Sequence, residues 1–387
     1  MRRGARGRGW AKVMITCDVL VVGGGPAGSS CAWKLRNTGL DVLVLDRKTF
    51  PRDKTCAGWI TPAVIDELTI DLDDYRLGRV LEPLTGFGTG MVGGAEVVTR
   101  YDKPISYGIR RCEFDDYLLQ RSGARLQLGE ALKSMERDNG GWVVNGHIKT
   151  PLVVGAGGHF CPVARRLDGR PSGGEWAVAA QEIEFEMSDR QLQECPVPAG
   201  IPFLYFCDDL EGYGWYYRKG NYLNVGLGRE DDRNLSAHVS AFCALLQERG
   251  RIPRDLPARF LGHAYLLYPH AQRKIVDDGV LLIGDAAGLA YPQSGEGIRP
   301  AVESGLLAAE VVRGAKREYR RANLEVYAKR LAGRFGKKYT RTTSERVPLK
   351  LKQFLARRLL VWPWFARHVV LDRWFLRRQE GSIRLPE

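Results

Sequence analysis

The chain has 387 residues, enough for two structural regions sharing a large core, and its 44% apolar and 27% charged residues exclude a wholly disordered protein. No uninterrupted apolar stretch approaches the length of a membrane span, which leaves contact with a membrane only from its surface. The formal net charge of +13 is concentrated at the two ends of the chain.

Residues 1–12 hold Arg2, Arg3, Arg6, Arg8 and Lys12 with no acid and no apolar run of signal-peptide length. Residues 1–16 are therefore expected to form a disordered basic leader, with Met14 a candidate start. No nucleic-acid-binding module is recognisable, so no nucleic-acid partner is expected. Eight cysteines, at 17, 31, 56, 112, 161, 195, 207 and 243, include no C-x-x-C pair. The expectation is a reducing cytoplasm and no metal site.

Next comes Asp18-Val19-Leu20-Val21-Val22, a β-branched run of the kind buried in a parallel sheet, and then the glycines of VVGGGPAG. Ala27, Cys31 and Leu35 recur at helical spacing up to Gly39, and a second buried strand, Val42 to Leu45, ends in Asp46. In this strand, turn, helix, strand and acid arrangement each glycine has a reason. Gly23 permits the turn, Gly25 lets a pyrophosphate approach the backbone, and Gly28 lets helix pack on strand. The helix N-terminus offers unpaired N–H groups to phosphates, and Asp46 can accept from a ribose diol, so the unit predicts dinucleotide binding.

Four later stretches stand out. They are Phe50-Pro51-Arg52-Asp53-Lys54-Thr55-Cys56-Ala57-Gly58-Trp59, Arg111-Cys112-Glu113-Phe114-Asp115, the GAGG of 155–158 followed by His159, and Gly212-Tyr213-Gly214-Trp215-Tyr216-Tyr217 with Val225-Gly226-Leu227-Gly228. In the last of these Tyr213, Trp215 and Tyr217 alternate onto one strand face, and Lys219-Gly220-Asn221 can make the turn before Tyr222. Such a face is either core or an apolar ligand wall. Near 280 a strand empties into Gly284-Asp285-Ala286-Ala287-Gly288, and a glycine-rich turn (Gly295-Glu296-Gly297-Ile298) opens an alanine-rich helix, a second anion-friendly helix start. His263 and His270, on the approach to it, are expected to be structural.

GDAAG followed by P-x-x-G-E-G-I resembles the second FAD motif of the p-hydroxybenzoate hydroxylase superfamily, most closely that of geranylgeranyl reductases, and the other stretches extend the resemblance over residues 17–310. It implies FAD as cofactor, bound by Gly23, Gly25, Pro26, Ala27, Gly28, Asp46, Arg47, Cys56, Ala57, Gly58, Arg111, Gly157, Asp285, Gly295, Gly297 and Ile298. Asp285 would meet the ribityl chain, and the helix after Gly297 would point at the flavin pyrimidine edge. Cys56, Trp215 and Tyr217 are the implied catalytic residues, Cys56 as proton donor. The chain departs from the superfamily in two places: Gly157 replaces an aspartate that takes part in NAD(P)H contacts in many hydroxylases, and Arg218 stands where the hairpin usually has proline.

The expected fold is α/β, a Rossmann-type FAD-binding domain with an inserted antiparallel β-sheet substrate domain and a helical tail. Its FAD domain is discontinuous (17–75, 105–165 and 270–315), the substrate domain comprises 76–104 and 166–269, and 316–387 is the basic helical C-terminal region. The expected function is reduction of carbon–carbon double bonds in an isoprenoid or other apolar lipid by hydride from reduced flavin N5, with NAD(P)H or a ferredoxin-like protein as electron donor. The alternatives are a flavin monooxygenase of the same superfamily and an electron carrier without substrate chemistry of its own.

After a charged helical stretch from Lys316 to about Thr343, residues 349–378 read LKLKQFLARRLLVWPWFARHVVLDRWFLRR, eight Lys or Arg against Asp372 alone. Leu351, Leu355 and Leu359 recur at i, i+4, tryptophans are interspersed, and Pro363 breaks or kinks any helix there. Two readings follow. Either these helices cover the FAD domain and the charges are its solvated face, or the segment lies on anionic lipid at the inner face of the membrane.

Overall fold

A computed structural model describes residues 13–168, 177–231, 234–336, 338 and 348–383. The leader up to residue 12 and the end of the charged stretch, 339–343, lie outside the described residues, while Ile15–Thr16, expected within the disordered leader, instead pairs with Ile148–Lys149 as a strand.

Val- and Leu-rich runs too short for helices form a six-stranded sheet in the order Val276–Asp277, Val280–Leu282, Val153–Gly155, Val19–Val22, Val42–Asp46, Arg125–Leu128. Only the first pair is antiparallel. Val153 stands beside Leu20 on one side and Val280 on the other, and Leu20 beside Leu43, so the two glycine-bearing strands flank Val153–Gly155 at the centre. Nearly every side chain on these central strands is buried, as parallel strands covered on both faces require. Helices Pro26–Leu35 and Ile298–Gly314 follow the two glycine turns and pack on each other. A four-stranded sheet (Ile15–Thr16, Ile148–Thr150, Gly141–Val144, Met135–Asp138) joins the same core through Met135, Trp142 and Val144.

A second, seven-stranded sheet runs Leu261–Leu266, Ala177–Glu186, Tyr222–Arg229, Gly212–Lys219, Phe203–Phe206, Gly86–Met91, Glu96–Arg100. All its pairings are antiparallel except that of Phe203–Phe206 with Gly86–Met91. The aromatic hairpin turns at Gly220, whose φ is +54°. A small sheet runs Trp59–Ile60, Ser106–Ile109, Leu81–Leu84.

The tail forms a helix, Leu349–Leu359, and Pro363 then occupies the first position of a new turn that widens into a π-helix, Ala366–Phe375. It does not cover the parallel sheet. Leu360, Val370, Leu371, Phe375 and Leu376 instead join Trp59, Leu84, Phe87, Met91, Trp215 and Tyr217 in one apolar cluster against the seven-stranded and three-stranded sheets.

Candidate functional site

A cavity of about 280 Å³ lies where the two large sheets meet, lined from both. Domain junctions of this kind favour ligand sites. At one end Asp46 closes its strand, its Oδ2 accepting from the Gly24 N–H (2.8 Å) and its Oδ1 from the Lys48 N–H (2.8 Å). Each oxygen keeps a further lone pair for a hydroxyl.

In the middle, Gly23 turns at φ +118°, and a Cβ there would sit 2.4 Å from the Ala156 carbonyl oxygen. A Cβ at Gly28 would sit 1.9 Å from the Gly23 oxygen, which fixes how closely the helix can pack on its strand. At Gly305 a Cβ would meet the Ala27 oxygen at 2.4 Å. Gly305 therefore lets the two helices touch, and their N-termini, at Gly25–Pro26 and Gly297–Ile298, open into the same cavity. Both ends present amides without intrahelical partners and partial positive charge.

Cations reinforce that middle region. Arg111, the first residue of helix Arg111–Gln120, donates from Nε and Nη2 to the two oxygens of Asp115 at 2.8 Å each, and Arg52 reaches the same carboxylate at 3.2 Å. Burial, then the Arg111 charge, hold the Lys54 ammonium down to about 8 against the pull of Asp285. Asp285 is pushed up by burial, but the His263 hydrogen bond (Nε2 to Oδ2, 3.4 Å) and the charges of His263, Lys54 and Arg111 prevail and hold it below the usual carboxylate range.

At the other end Cys56, Ala57 and Gly58 face Ala180, Tyr213, Trp215 and Tyr265. A buried polar network holds this loop from behind. The Cys56 N–H donates to Glu182 Oε1, Asn224 Nδ2 donates to Glu182 Oε2 at 3.1 Å, and the Trp215 indole N–H donates to Asn224 Oδ1 at 2.7 Å. The Tyr217 hydroxyl donates to the Gly58 carbonyl at 2.7 Å. Lys219, fully buried, pairs with Glu184 and donates to the carbonyls of Ala57 (2.9 Å) and Ile109 (2.8 Å). Burial pushes Glu182 up to about 7, although the Cys56 N–H and Lys219 pull it down.

Of the residues singled out in the sequence, Gly23, Gly25, Pro26, Ala27, Asp46, Arg47, Cys56, Ala57, Gly58, Arg111, Gly157, Trp215, Asp285, Gly295, Gly297 and Ile298 all line this cavity. Gly28 and Tyr217 do not. Gly28 is a packing position, and Tyr217 stands one layer behind the Cys56 loop, out of reach of a ligand. Sequence reasoning missed Glu182 and Lys219 and set His263 aside, yet His263 is in the wall. Arg52 and Lys54, quoted within their motif but given no role, are there too.

The donor set fits an elongated, doubly charged dinucleotide: an acid for a diol, two helix starts and three cations for phosphates and ring edge, then an aromatic chamber. Residues 21–72 match the family described as an NAD(P)-binding Rossmann-like domain. The chain is 31% identical over 328 residues to a menaquinone reductase of Mycobacterium tuberculosis, covering 77% of this chain and 76% of that one. It is 29% identical over 341 residues to a geranylgeranyl diphosphate reductase of Rhodobacter capsulatus, covering 80% and 78%. A geranylgeranyl bacteriochlorophyll reductase-like protein of Thermoplasma acidophilum shares the fold, with a TM-score of 0.71, 21% identity, and coverage of 90% and 88%.

Proposed function

Since the chain belongs to the geranylgeranyl reductase family of FAD-dependent oxidoreductases, we propose that it reduces carbon–carbon double bonds of an isoprenoid or similarly apolar substrate. When bound and reduced, FAD supplies the hydride from its N5. Asp46 and Arg47 are assigned to the adenosine end and the Gly25–Pro26–Ala27 helix start to the diphosphate, with Gly23 and Gly157 leaving the space and Gly28 packing the helix on its strand. Arg111 and Asp285 hold the ribityl region, while Gly295, Gly297 and Ile298 meet the ring edge.

An isolated alkene is barely polarised, so its reduction needs a proton from a held acid as well as a hydride. We assign that proton to the Cys56 thiol; the thiolate it leaves lies beside the Arg111 guanidinium. Trp215 and its aromatic neighbours position the chain and exclude water, and Tyr217 acts through the loop it supports. One observation carries the assignment: among the described residues Cys56 is the single thiol in the cavity wall, set between the aromatic face and the two helix starts.

Menaquinone and geranylgeranyl diphosphate, after which two of the relatives are named, both contain polyprenyl chains, and a chain of that kind is the substrate class we favour. Electrons come from NAD(P)H or a ferredoxin-like donor, and Gly157 in place of an aspartate favours the latter. A polyprenyl substrate resides in a membrane, so the protein must also meet a lipid surface, a contact we assign to 349–378. The test is anaerobic: dithionite-reduced protein mixed with geranylgeranyl diphosphate, which has no quinone ring to take the electrons, should reoxidise and yield product heavier by two hydrogens. Reoxidation by oxygen alone, with a hydroxylated product, would replace this reading by a monooxygenase.

A further inference from the structure

Helix Leu349–Leu359 is amphipathic in the reverse of the usual sense. Leu351, Phe354 and Leu355 recur at i, i+3 and i+4 on one face, and all three are exposed. The opposite side carries Gln353 and Arg357, which bind Asp208 (Nε2 to the carbonyl at 2.9 Å, guanidinium to Oδ1 at 3.2 Å), and Ala356 and Leu360, which pack on the seven-stranded sheet. Beyond the helix Trp362 and Trp364, 51% and 54% exposed, lie with ring centroids 5.5 Å apart.

The charge flanking this outer face is basic. Lys350, Lys352, Arg358 and Arg367 lie around it, Arg357 on the inner side is paired with Asp208, and residues 349–378 hold eight cations against Asp372 alone. Nor is the segment a loose end. Phe375 packs on Tyr213 at 5.3 Å, and the carbonyls of Glu380 and Gly381 accept from the buried Arg299 at 2.7 and 2.9 Å. No helix among the described residues is long and apolar enough to cross a membrane. An apolar face bearing tryptophans inside a basic ring matches the chemistry of a bilayer interface: acyl chains for Leu and Phe, the headgroup level for Trp, anionic phosphates for Lys and Arg.

We propose that Leu351, Phe354, Leu355, Trp362 and Trp364 dock this protein on a lipid bilayer bearing anionic headgroups. The proposal deepens the reading of the substrate as a membrane lipid, but its support is separate from the cavity. Docking also places the segment that backs the aromatic wall, through Phe375 on Tyr213, against the phase holding the substrate.

The test uses the full-length, FAD-loaded protein and vesicles of phosphatidylcholine with or without phosphatidylglycerol, with no substrate present. Sedimentation should show binding to the anionic vesicles, weakened by salt and at least about tenfold lower on phosphatidylcholine alone. The combined Phe354→Ser, Trp362→Ser, Trp364→Ser variant should lose binding by a similar factor while keeping its flavin content and melting temperature. Equal binding of variant and parent overturns the proposal, as does equal binding to the two vesicle types. A concentration-dependent dimer that the same substitutions abolish would assign the face to a second copy and overturn it too. Should the vesicle result hold while no alkene is reduced, the substrate reading fails alone; turnover without vesicle binding removes only the docking.

Discussion

Glu182 links the Cys56 loop to the aromatic wall through a single carboxyl: one oxygen receives the Cys56 N–H, and the other receives Asn224, which in turn holds Trp215. Its proton affinity in the fold is raised, from 4.5 to about 7, chiefly by burial. A carboxyl raised in this way contributes stability that is fully present below pH 4.5 and is lost as pH rises through about 7, because the unfolded chain ionises it at no cost. Glu182→Gln should remove that loss. The stability advantage of the parent over the variant, read from urea midpoints, should fall by at most about 3 kcal/mol across the window. An advantage that grows with pH would place the ionised form as the favoured one. Cys56→Ala probes the neighbouring atom: kcat should fall on the order of 100-fold, with flavin content and flavin reduction by dithionite unchanged. Normal turnover would remove the thiol from the mechanism.

The two helices that open the cavity owe their contact to absent side chains. Gly305 lies outside both glycine motifs, yet a methyl there would stand 2.4 Å from the Ala27 oxygen, and backbone is on both sides of the clash. Gly305→Ala should lower the melting temperature, at a cost of about 1–3 kcal/mol, and should weaken FAD binding measured by fluorescence titration, since separating the helices separates their N-termini. A variant that binds FAD as tightly as the parent would show that the two helix starts act independently. The glycine turns, Asp46 and the aromatic hairpin were legible in the sequence because each depends on local backbone geometry or on period-two alternation, whereas Asp285 was reached only through the resemblance of GDAAG to a family motif. Glu182, Lys219 and His263 were not. Their places follow from pairings between distant strands, Glu182 opposite Gly226 and His263 opposite Ala180, and a lysine next to a turn glycine reads as solvated until Ile109 and Glu184 are brought around it.

In the whole molecule the tail covers the aromatic cluster, and the docking proposed for its outer face is separable from that cover. Its inner side chains complete the cluster that includes Trp59, Trp215 and Tyr217, whereas among the described residues the core around the parallel sheet takes only Ile383 from beyond residue 348. A chain ending at 347 should therefore still bind FAD at one per protein, because the glycine turns, both helices and the cation set remain. With Leu84, Phe87 and Met91 uncovered it should bind the dye ANS strongly, and it should fail to reduce a detergent-dispersed polyprenyl substrate, for which no membrane is needed. The Phe354, Trp362, Trp364 serine variant should behave oppositely, turning over that dispersed substrate at the parental rate, because its changes are confined to the outer face. Full activity of the truncated chain would mean that the aromatic chamber is closed without the tail. Loss of activity in the serine variant would mean that the outer face and the chamber act as one unit rather than two.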